Sequence, residues 1–211
     1  MIAAQLRSAG LVLWFSCAVA SSGPAIAQAV SAGADQAAQK LAASVCASCH
    51  GPGGVSTSPL FPHLAGQREA YLVAQLKAYK AKTRIEQDAR DYMWGMATLL
   101  EDPVIEGMAR YYAAQKPGSG TPGDAQLVAR GKLLYENGDA ARHVAACSSC
   151  HGVAAEGNSI FPRLAGQHAA YVVRQLDVIQ KGFRGSPVMH GVIKDLDAQD
   201  MKAVAEYVQS R

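Results

Sequence analysis

Two short motifs in this sequence combine cysteine and histidine at a spacing that can do chemistry. The first reads CASCH at residues 46–50 and the second reads CSSCH at residues 147–151. Two thiols three positions apart on a helical turn can form thioethers with the vinyl groups on one edge of a porphyrin, and the next residue then brings its imidazole beneath the iron. This pattern is the attachment signature of c-type haem. The motifs predict two covalently bound haem c groups, held by Cys46, Cys49, His50, Cys147, Cys150 and His151.

Other uses of paired cysteines fit the sequence less well. Zinc ribbons separate two CxxC pairs by about 15–20 residues, whereas these pairs begin at Cys46 and Cys147. A thioredoxin-like redox site needs a βαβ context, which the sequence lacks, and does not require the histidine. Disulfides are common in exported proteins with an even number of cysteines, but they do not explain a histidine directly after each pair.

The ligand on the far side of each iron decides the chemistry. An open position allows ligand binding or peroxide chemistry, whereas a thioether closes the iron and favours electron transfer at a raised potential. Met108 and Met201 fall in apolar helical stripes and are predicted to be core residues, because methionine fills gaps in cores. Met93, Met96 and Met189 are predicted to lie in loops before the last helices, within reach of a haem.

An internal repeat divides the chain into two halves. The segment FPHLAGQ at residues 61–67 returns as FPRLAGQ at residues 161–167. The Pro- and Gly-rich stretch 117–123 between the two copies has the composition of a linker. We therefore predict two homologous domains, at residues 28–116 and 124–211, each with one haem.

The repeat also selects among the methionines. Met93 and Met189 each precede, by seven positions, a leucine at the start of the last helical segment. This register pairs Met93 with Met189 and leaves Met96 opposite a valine. We expect Met93 and Met189 to be the distal ligands, with Met96 as the alternative in the first half and His190 as the alternative in the second.

The other polar positions of the repeat have less specific interpretations. Pro62 and Pro162 either present a carbonyl to the second nitrogen of the ligating histidine, which fixes the orientation of the imidazole, or only form a turn into the next helix. Both interpretations fit the sequence. His63, His143 and His168 are predicted to be exposed or hydrogen-bonded histidines rather than iron ligands.

Both halves have helical periodicity, and the predicted fold class is all-α. Helices are predicted around residues 34–47 and 127–135, with an inserted loop at 136–139 before the second motif. Asp102 and Asp197 are predicted N-caps of the last helices. Because such small domains have marginal cores, folding without haem is expected to fail or to remain incomplete. The predicted apolar stripes are Leu72, Leu76 and Tyr79; Val172, Leu176 and Ile179; Ile105, Met108, Ala109 and Tyr112; and Met201, Val204, Ala205 and Val208.

The N-terminus and the charge indicate where the protein acts. Residues 1–27 have the pattern of a cleaved signal peptide, with one arginine, an apolar run and Ala25-Ile26-Ala27 before the cleavage site. An uncleaved N-terminal anchor is the alternative. The net charge of +3 over 211 residues, without a long basic block, argues against nucleic acid as a partner. We expect an exported protein.

Two CxxCH domains of similar length, each followed by FPxLAGQ and a late methionine, resemble the two-haem cytochrome c4 family over nearly all of residues 28–211. The resemblance implies two class I cytochrome c domains related by a pseudo-twofold axis, with haem edges near their interface. It also implies a periplasmic protein, soluble or peripherally associated with the membrane, that delivers electrons toward a terminal oxidase. Within the family pattern, the distal ligands fall on Met93 and Met189.

Three functions compete at this point. The first is an electron carrier, not an enzyme, which takes electrons from a membrane quinol-oxidising complex or a dehydrogenase and passes them to a terminal oxidase. The second is the electron-accepting cytochrome subunit of a periplasmic dehydrogenase, which the same residues would serve. The third is a two-haem peroxidase or thiosulfate-oxidising enzyme, which needs an exchangeable iron ligand. Cysteine ligation of that iron is excluded, because all four cysteines after the signal peptide are committed to thioethers.

A run of charged residues follows the amphipathic helix of the first half. Its basic members could form a docking patch for an acidic oxidase surface: Lys77, Lys80, Lys82 and Arg84. In the alternative interpretation, the run is a solvated helix face whose charge is offset by nearby carboxylates: Glu86, Asp88 and Asp91.

Substitution of the two first-half methionines tests the repeat register. Met93→Ala is expected to open the distal position of the first haem and to lower its potential, because thioether ligation raises the potential. Met96→Ala, the matched control, is expected to do neither. Redox titration together with the optical spectrum of each variant measures both effects, and the opposite pattern would show the register to be wrong.

Overall fold

The computed structural model describes residues 23–211, with side chains from residue 32 onward. Two π-helical segments, Ala42–Cys46 and Ala89–Met93, and two 3₁₀ turns, Pro52–Gly54 and Ala140–Arg142, occur in this range. The described residues contain isolated β-bridges but no β-strand, so the all-α prediction is confirmed. The α-helices of this range are α1 Gly23–Leu41, α2 Ala47–His50, α3 Glu69–Lys80, α4 Trp94–Thr98, α5 Asp102–Ala113, α6 Ala125–Asn137, α7 Ser148–His151, α8 Ala169–Gln180, α9 Pro187–Ile193 and α10 Ala198–Gln209.

The first half begins with a helical path that leads to His50. Helix α1 continues through the π-helical segment into α2, which ends at that histidine. Of the predicted signal peptide, residues 1–22 lie outside the described residues, and residues 23–27 form the start of α1. No helix in the described range has the length and apolar character needed to cross a membrane.

Each half is closed by two long helices that cross at a glycine. Helix α1 packs on α5, where a Cβ atom added to Gly107 would lie 2.9 Å from the Cβ of Ala38. Helix α6 packs on α10, where a Cβ atom added to Gly131 would lie 1.9 Å from the carbonyl oxygen of Ala203. Only a residue without a side chain allows the backbones to approach so closely.

The predicted apolar stripes form the cores of the two halves. Every residue of the stripes in α5 and α10 is buried, which confirms Met108 and Met201 as core residues. In α8 the whole predicted stripe is buried, whereas in α3 only Leu72 is buried, and Leu76 and Tyr79 are half-buried. The second half therefore has the more complete core of its own.

The two predicted N-caps have different outcomes. Asp197 caps α10 by accepting a hydrogen bond from the backbone N–H of Asp200 at 2.8 Å, as predicted. The prediction for Asp102 is wrong, because this residue lies inside α5 and its side chain makes no cap hydrogen bond. Its carboxylate instead pairs with the ammonium groups of Lys77 and Lys80, at 3.2 and 3.1 Å.

Three segments predicted to be loops are partly or wholly helical. Residues 136 and 137 complete α6, and the inserted loop begins at Gly138. Met93 ends a π-helical segment, Met96 lies in α4, and Met189 lies in α9. The helical segments that contain these methionines hold too few residues for an apolar period to be read, so the sequence pattern did not reveal them.

Reciprocal hydrogen bonds join the two halves. The Gln67 side chain accepts a hydrogen bond from the backbone N–H of Arg163 at 2.7 Å and donates one to the carbonyl of Arg163 at 2.9 Å. Gln167 makes the same pair with the backbone of His63, at 2.9 and 3.0 Å. Because equivalent residues exchange equivalent contacts, a pseudo-twofold axis relates the two halves.

A buried ionic cluster occupies the same interface. Arg84 pairs with Glu86, and its guanidinium also donates to the side-chain oxygens of Gln75 and Gln175, at 2.9 Å each. Arg184, from the second half, donates to the same two oxygens at 3.0 and 2.6 Å. Both predicted roles of the charged run are therefore wrong for Arg84 and Glu86, because these residues are buried between the halves rather than exposed.

The rest of the charged run is also largely paired. Lys77 and Lys80 bind Asp102 within the first half. The Asp88 carboxylate pairs with Arg174 of the second half at 3.3 Å. Lys77, Lys80 and Asp88 therefore each belong to an ion pair.

Gly131→Ala is expected to destabilise the protein by about 1–3 kcal/mol, because the new methyl group overpacks the crossing of α6 and α10. Gly33→Ala is the matched control: this exposed glycine of α1 has no atom within 4 Å of an added Cβ. Its replacement by alanine is expected to stabilise the helix by up to about 1 kcal/mol. Denaturant unfolding of the purified protein measures both free energies, and equal or inverted effects would contradict the packing described.

Candidate haem sites

The two motif histidines have the same environment. His50 ends α2 and His151 ends α7, and both side chains are buried. Nδ1 of His50 lies 2.9 Å from the carbonyl oxygen of Pro62, and Nδ1 of His151 lies 2.9 Å from that of Pro162. Of the two interpretations of these prolines, the carbonyl partner is confirmed.

The proline carbonyl decides which ring nitrogen of each imidazole carries the proton. A carbonyl oxygen only accepts hydrogen bonds, so Nδ1 carries the proton and Nε2 keeps its lone pair. Burial lowers the pKa of His50 and of His151, and the proline carbonyl opposes this only in part. The Nε2 atom of His151 is buried without a hydrogen-bond partner. Because buried polar atoms need a partner, this nitrogen fits the iron of a bound haem.

The motif cysteines lie in the same short segments as these histidines. None of the four, all within the described range, forms a disulfide. Cys46 and Cys147 are half-buried and pack against the apolar cores of their halves. Burial raises the pKa of Cys147 to about 11 and also raises the pKa of Cys46. Apolar surroundings disfavour the thiolate form in which cysteine binds zinc.

The structure distinguishes the candidate distal ligands by their exposure. Met93 is half-buried, and Met189 is half-buried and packs against the core of the second half. Met96 is 55% exposed. His190 is exposed, and its Nδ1 lies 3.2 Å from the carbonyl oxygen of Ile179. The two methionines that the repeat register selects are therefore less exposed than either alternative.

Comparison with known proteins places the chain in a family. A sequence profile described as Cytochrome c matches residues 36–103 and 128–211. Cytochrome c4 of Azotobacter vinelandii is 39% identical over 189 residues, which cover 84% of this chain and 90% of that protein. The chain belongs to the cytochrome c4 family.

Two further similarities extend this result. The Acidithiobacillus ferrooxidans cytochrome c4 structure superposes with a TM-score of 0.74 at 38% identity, and the match covers 79% of this chain and 98% of that chain. A thiosulfate dehydrogenase electron acceptor of Thiomonas intermedia is 34% identical over 186 residues, which cover 84% of this chain and 83% of that protein.

Membership of the family establishes the cofactor and the class of function. The chain has two tandem cytochrome c domains and carries two covalently bound haem c groups. It is an electron-transfer protein and not an enzyme. The predicted family, fold class and cofactor are therefore confirmed.

The remaining candidate histidines lie at the domain interface or on the surface. The rings of His63 and His168 stack with their centroids 4.1 Å apart. The backbone N–H of Ser56 donates to Nδ1 of His63 at 3.0 Å, and Nε2 of His168 donates to the Ser56 carbonyl at 3.1 Å. His143 is exposed. The prediction that these three histidines are hydrogen-bonded or exposed is confirmed.

Sequence reasoning missed the residues that join the two cytochrome domains. Gln67 and Gln167 close the FPxLAGQ repeat, and Arg84 and Arg184 keep the same offset of 100 positions. That shared offset was the available signal. Because a repeat preserves core and interface positions alike, it does not reveal which of its residues meet across a twofold axis.

Acidification is expected to destabilise this interface. Burial, together with the neighbouring His168, lowers the pKa of His63 from 6.5 to about 4, and burial lowers the pKa of His168. The unfolded chain binds more protons than the folded protein below pH 6.5, so stability falls as the pH drops from about 6.5 toward 4. Unfolding free energies measured across this range test the effect. His63→Asn is expected to flatten the pH dependence, and an unchanged slope in that variant would contradict the assignment.

Proposed function

We propose that the two motif histidines are the proximal iron ligands and that the four motif cysteines form the thioethers. One observation carries this proposal: Nε2 of His151 is buried without a partner, while Nδ1 of the same ring is hydrogen-bonded to the carbonyl of Pro162. His50 has the same hydrogen bond to Pro62 in the first half. A bound haem supplies a one-electron couple. The residues of the chain orient the imidazole and keep the proton on Nδ1.

Met93 and Met189 are the proposed distal ligands. The repeat register pairs them, and both are half-buried. A thioether at this position closes the iron to exogenous ligands and raises its potential. With these two side chains as ligands, each bound haem would keep the same ligand set in both oxidation states, which suits a carrier of single electrons.

The proposed role is a periplasmic carrier in a respiratory chain that receives electrons from a membrane quinol-oxidising complex and passes them to a terminal oxidase. The signal-peptide pattern in residues 1–27 and the cytochrome c4 family support this role. The proposed domains are residues 28–116 and 124–211 with a linker at 117–123, and the two profile matches lie on either side of that linker. A peripheral association with the membrane fits delivery to a membrane oxidase.

A second candidate is the electron acceptor of a periplasmic dehydrogenase. The similarity to a thiosulfate dehydrogenase electron acceptor over 84% of this chain favours it specifically. In that role the same two haems would receive electrons from a catalytic partner, and no residue of this chain would need to bind the dehydrogenase substrate.

Stopped-flow oxidation and reduction of the purified dihaem protein separate these roles. The reduced protein is expected to be oxidised rapidly by membranes that contain terminal oxidases, and cyanide, which blocks the oxidases, is the control. The oxidised protein is expected to remain oxidised with thiosulfate alone. Rapid reduction by thiosulfate plus a purified thiosulfate dehydrogenase, with no oxidation by membranes, would favour the second candidate. Carbon monoxide binding to the reduced native protein would contradict the proposed methionine ligands.

A further inference from the structure

The glutamine that ends each FPxLAGQ repeat binds the backbone of the opposite domain. Gln167 and Gln67 are 6% and 7% exposed, so these hydrogen bonds are shielded from water. Each side-chain oxygen accepts a second hydrogen bond from its own domain, from the N–H of His168 at 3.1 Å and of Arg68 at 2.9 Å. Four backbone contacts between 2.7 and 3.0 Å thus cross the interface in two matching pairs.

Each glutamine binds the residue that comes directly after a proline. The carbonyl of that proline orients a haem-ligating histidine. The N–H of His63, bound by Gln167, and the C=O of Pro62, bound by His50, belong to one peptide group. In the second half, the peptide group between Pro162 and Arg163 is bound in the same way by Gln67 and by His151. One planar peptide group is therefore all that separates each proximal histidine from the other domain.

Hydrogen bonds in series strengthen one another. When the N–H of a peptide donates to a strong acceptor, its carbonyl oxygen becomes more negative and accepts a stronger hydrogen bond. A stronger acceptor at Nδ1–H raises the basicity of Nε2 toward the metal. A more basic proximal ligand stabilises the ferric state, so the potential of that haem is lower.

We propose that each glutamine tunes the haem of the opposite domain: Gln167 acts on the haem bound through His50, and Gln67 acts on the haem bound through His151. The two glutamines are positioning residues that couple the domains through the peptide groups after Pro62 and Pro162. This inference rests on the proposed function in taking the two motif histidines as proximal ligands.

A crossed pattern of effects, in which a substitution in one domain changes the haem of the other, distinguishes this role from simple stabilisation of the domain interface. A glutamine that only held the domains together would change both haems alike when it was replaced. A glutamine that acted locally would change the haem of its own domain. Only the peptide relay makes a substitution in one domain change chiefly the haem of the other.

The test is a pair of matched variants of the full dihaem protein, Gln67→Met and Gln167→Met, which keep the side-chain length and remove the hydrogen bonds. Gln167→Met is expected to raise the potential of the first-domain haem, and Gln67→Met that of the second. The expected change in each reduction equilibrium is about two- to threefold, from the modest cooperative strengthening per hydrogen bond. The spectrum of Met93→Ala assigns each potential to its domain.

A second readout follows the histidines directly. The Nδ1–H proton of His50 is expected to shift in the nuclear magnetic resonance spectrum of reduced Gln167→Met, whereas that of His151 stays in place. Gln167→Glu retains the accepting oxygen and, because its carboxylate is the stronger acceptor, is expected to move the first haem in the opposite direction to Gln167→Met. This variant keeps the test available where the methionine variant fails to accumulate.

Gln75→Met is the interface control, because Gln75 also binds across the domains but contacts arginines rather than the histidine-orienting peptides. It is expected to give no crossed pattern. Equal shifts of both haems in Gln67→Met and Gln167→Met, or a shift confined to the substituted domain, would overturn the inference while leaving the haem ligands intact. Failure of the proposed function is a separate outcome: the unsubstituted protein would then lack the spectrum of histidine–methionine ligation.

Discussion

The hydrogen bond from each motif histidine to a proline carbonyl organises the rest of this structure. It sets which nitrogen of the imidazole carries a proton, and therefore which nitrogen keeps its lone pair. It also ties the short helix that ends in the motif to the FPxLAGQ loop. Because that loop forms the domain interface, the same interaction connects the haem site to the surface where the two halves meet.

The interface itself combines neutral and ionic contacts. The two glutamines satisfy backbone groups of the opposite domain, which would cost about 1–3 kcal/mol each if they were buried without partners. Beside them, Arg84 and Glu86 form a buried pair whose desolvation cost offsets much of its attraction. Such a pair contributes little net stability. A domain orientation that separated the two residues would leave one charge buried without a partner, which is strongly destabilising. The ionic cluster therefore favours one relative orientation of the domains.

The two halves share one fold but differ in their core packing, ion pairs and interface residues. The second half has the fully buried stripe in α8 and an ionic contact between Arg130 and the buried Asp200 at 2.6 Å, whereas α3 of the first half leaves Leu76 and Tyr79 half-buried. At the interface, the His63–His168 stack occupies the pseudo-symmetric counterpart of Arg163 and Arg68. One side of the axis therefore carries two stacked imidazoles, while the other side carries two guanidinium groups.

Chemistry that depends on neighbours in sequence was determined by the sequence alone. The CxxCH spacing predicted two haem c groups, the helical periodicity predicted an all-α fold, and the repeat register paired Met93 with Met189. Tertiary structure decided whatever depends on groups far apart in the chain: Asp102 binds lysines of α3 instead of capping its helix, and Arg84 is buried instead of exposed. A local sequence pattern indicates which face of a helix is apolar. It does not indicate which donor or charged group from a distant part of the chain contacts that helix. Only the folded pair of domains, with Gln67 and Gln167 each bound to the other half, contains that information.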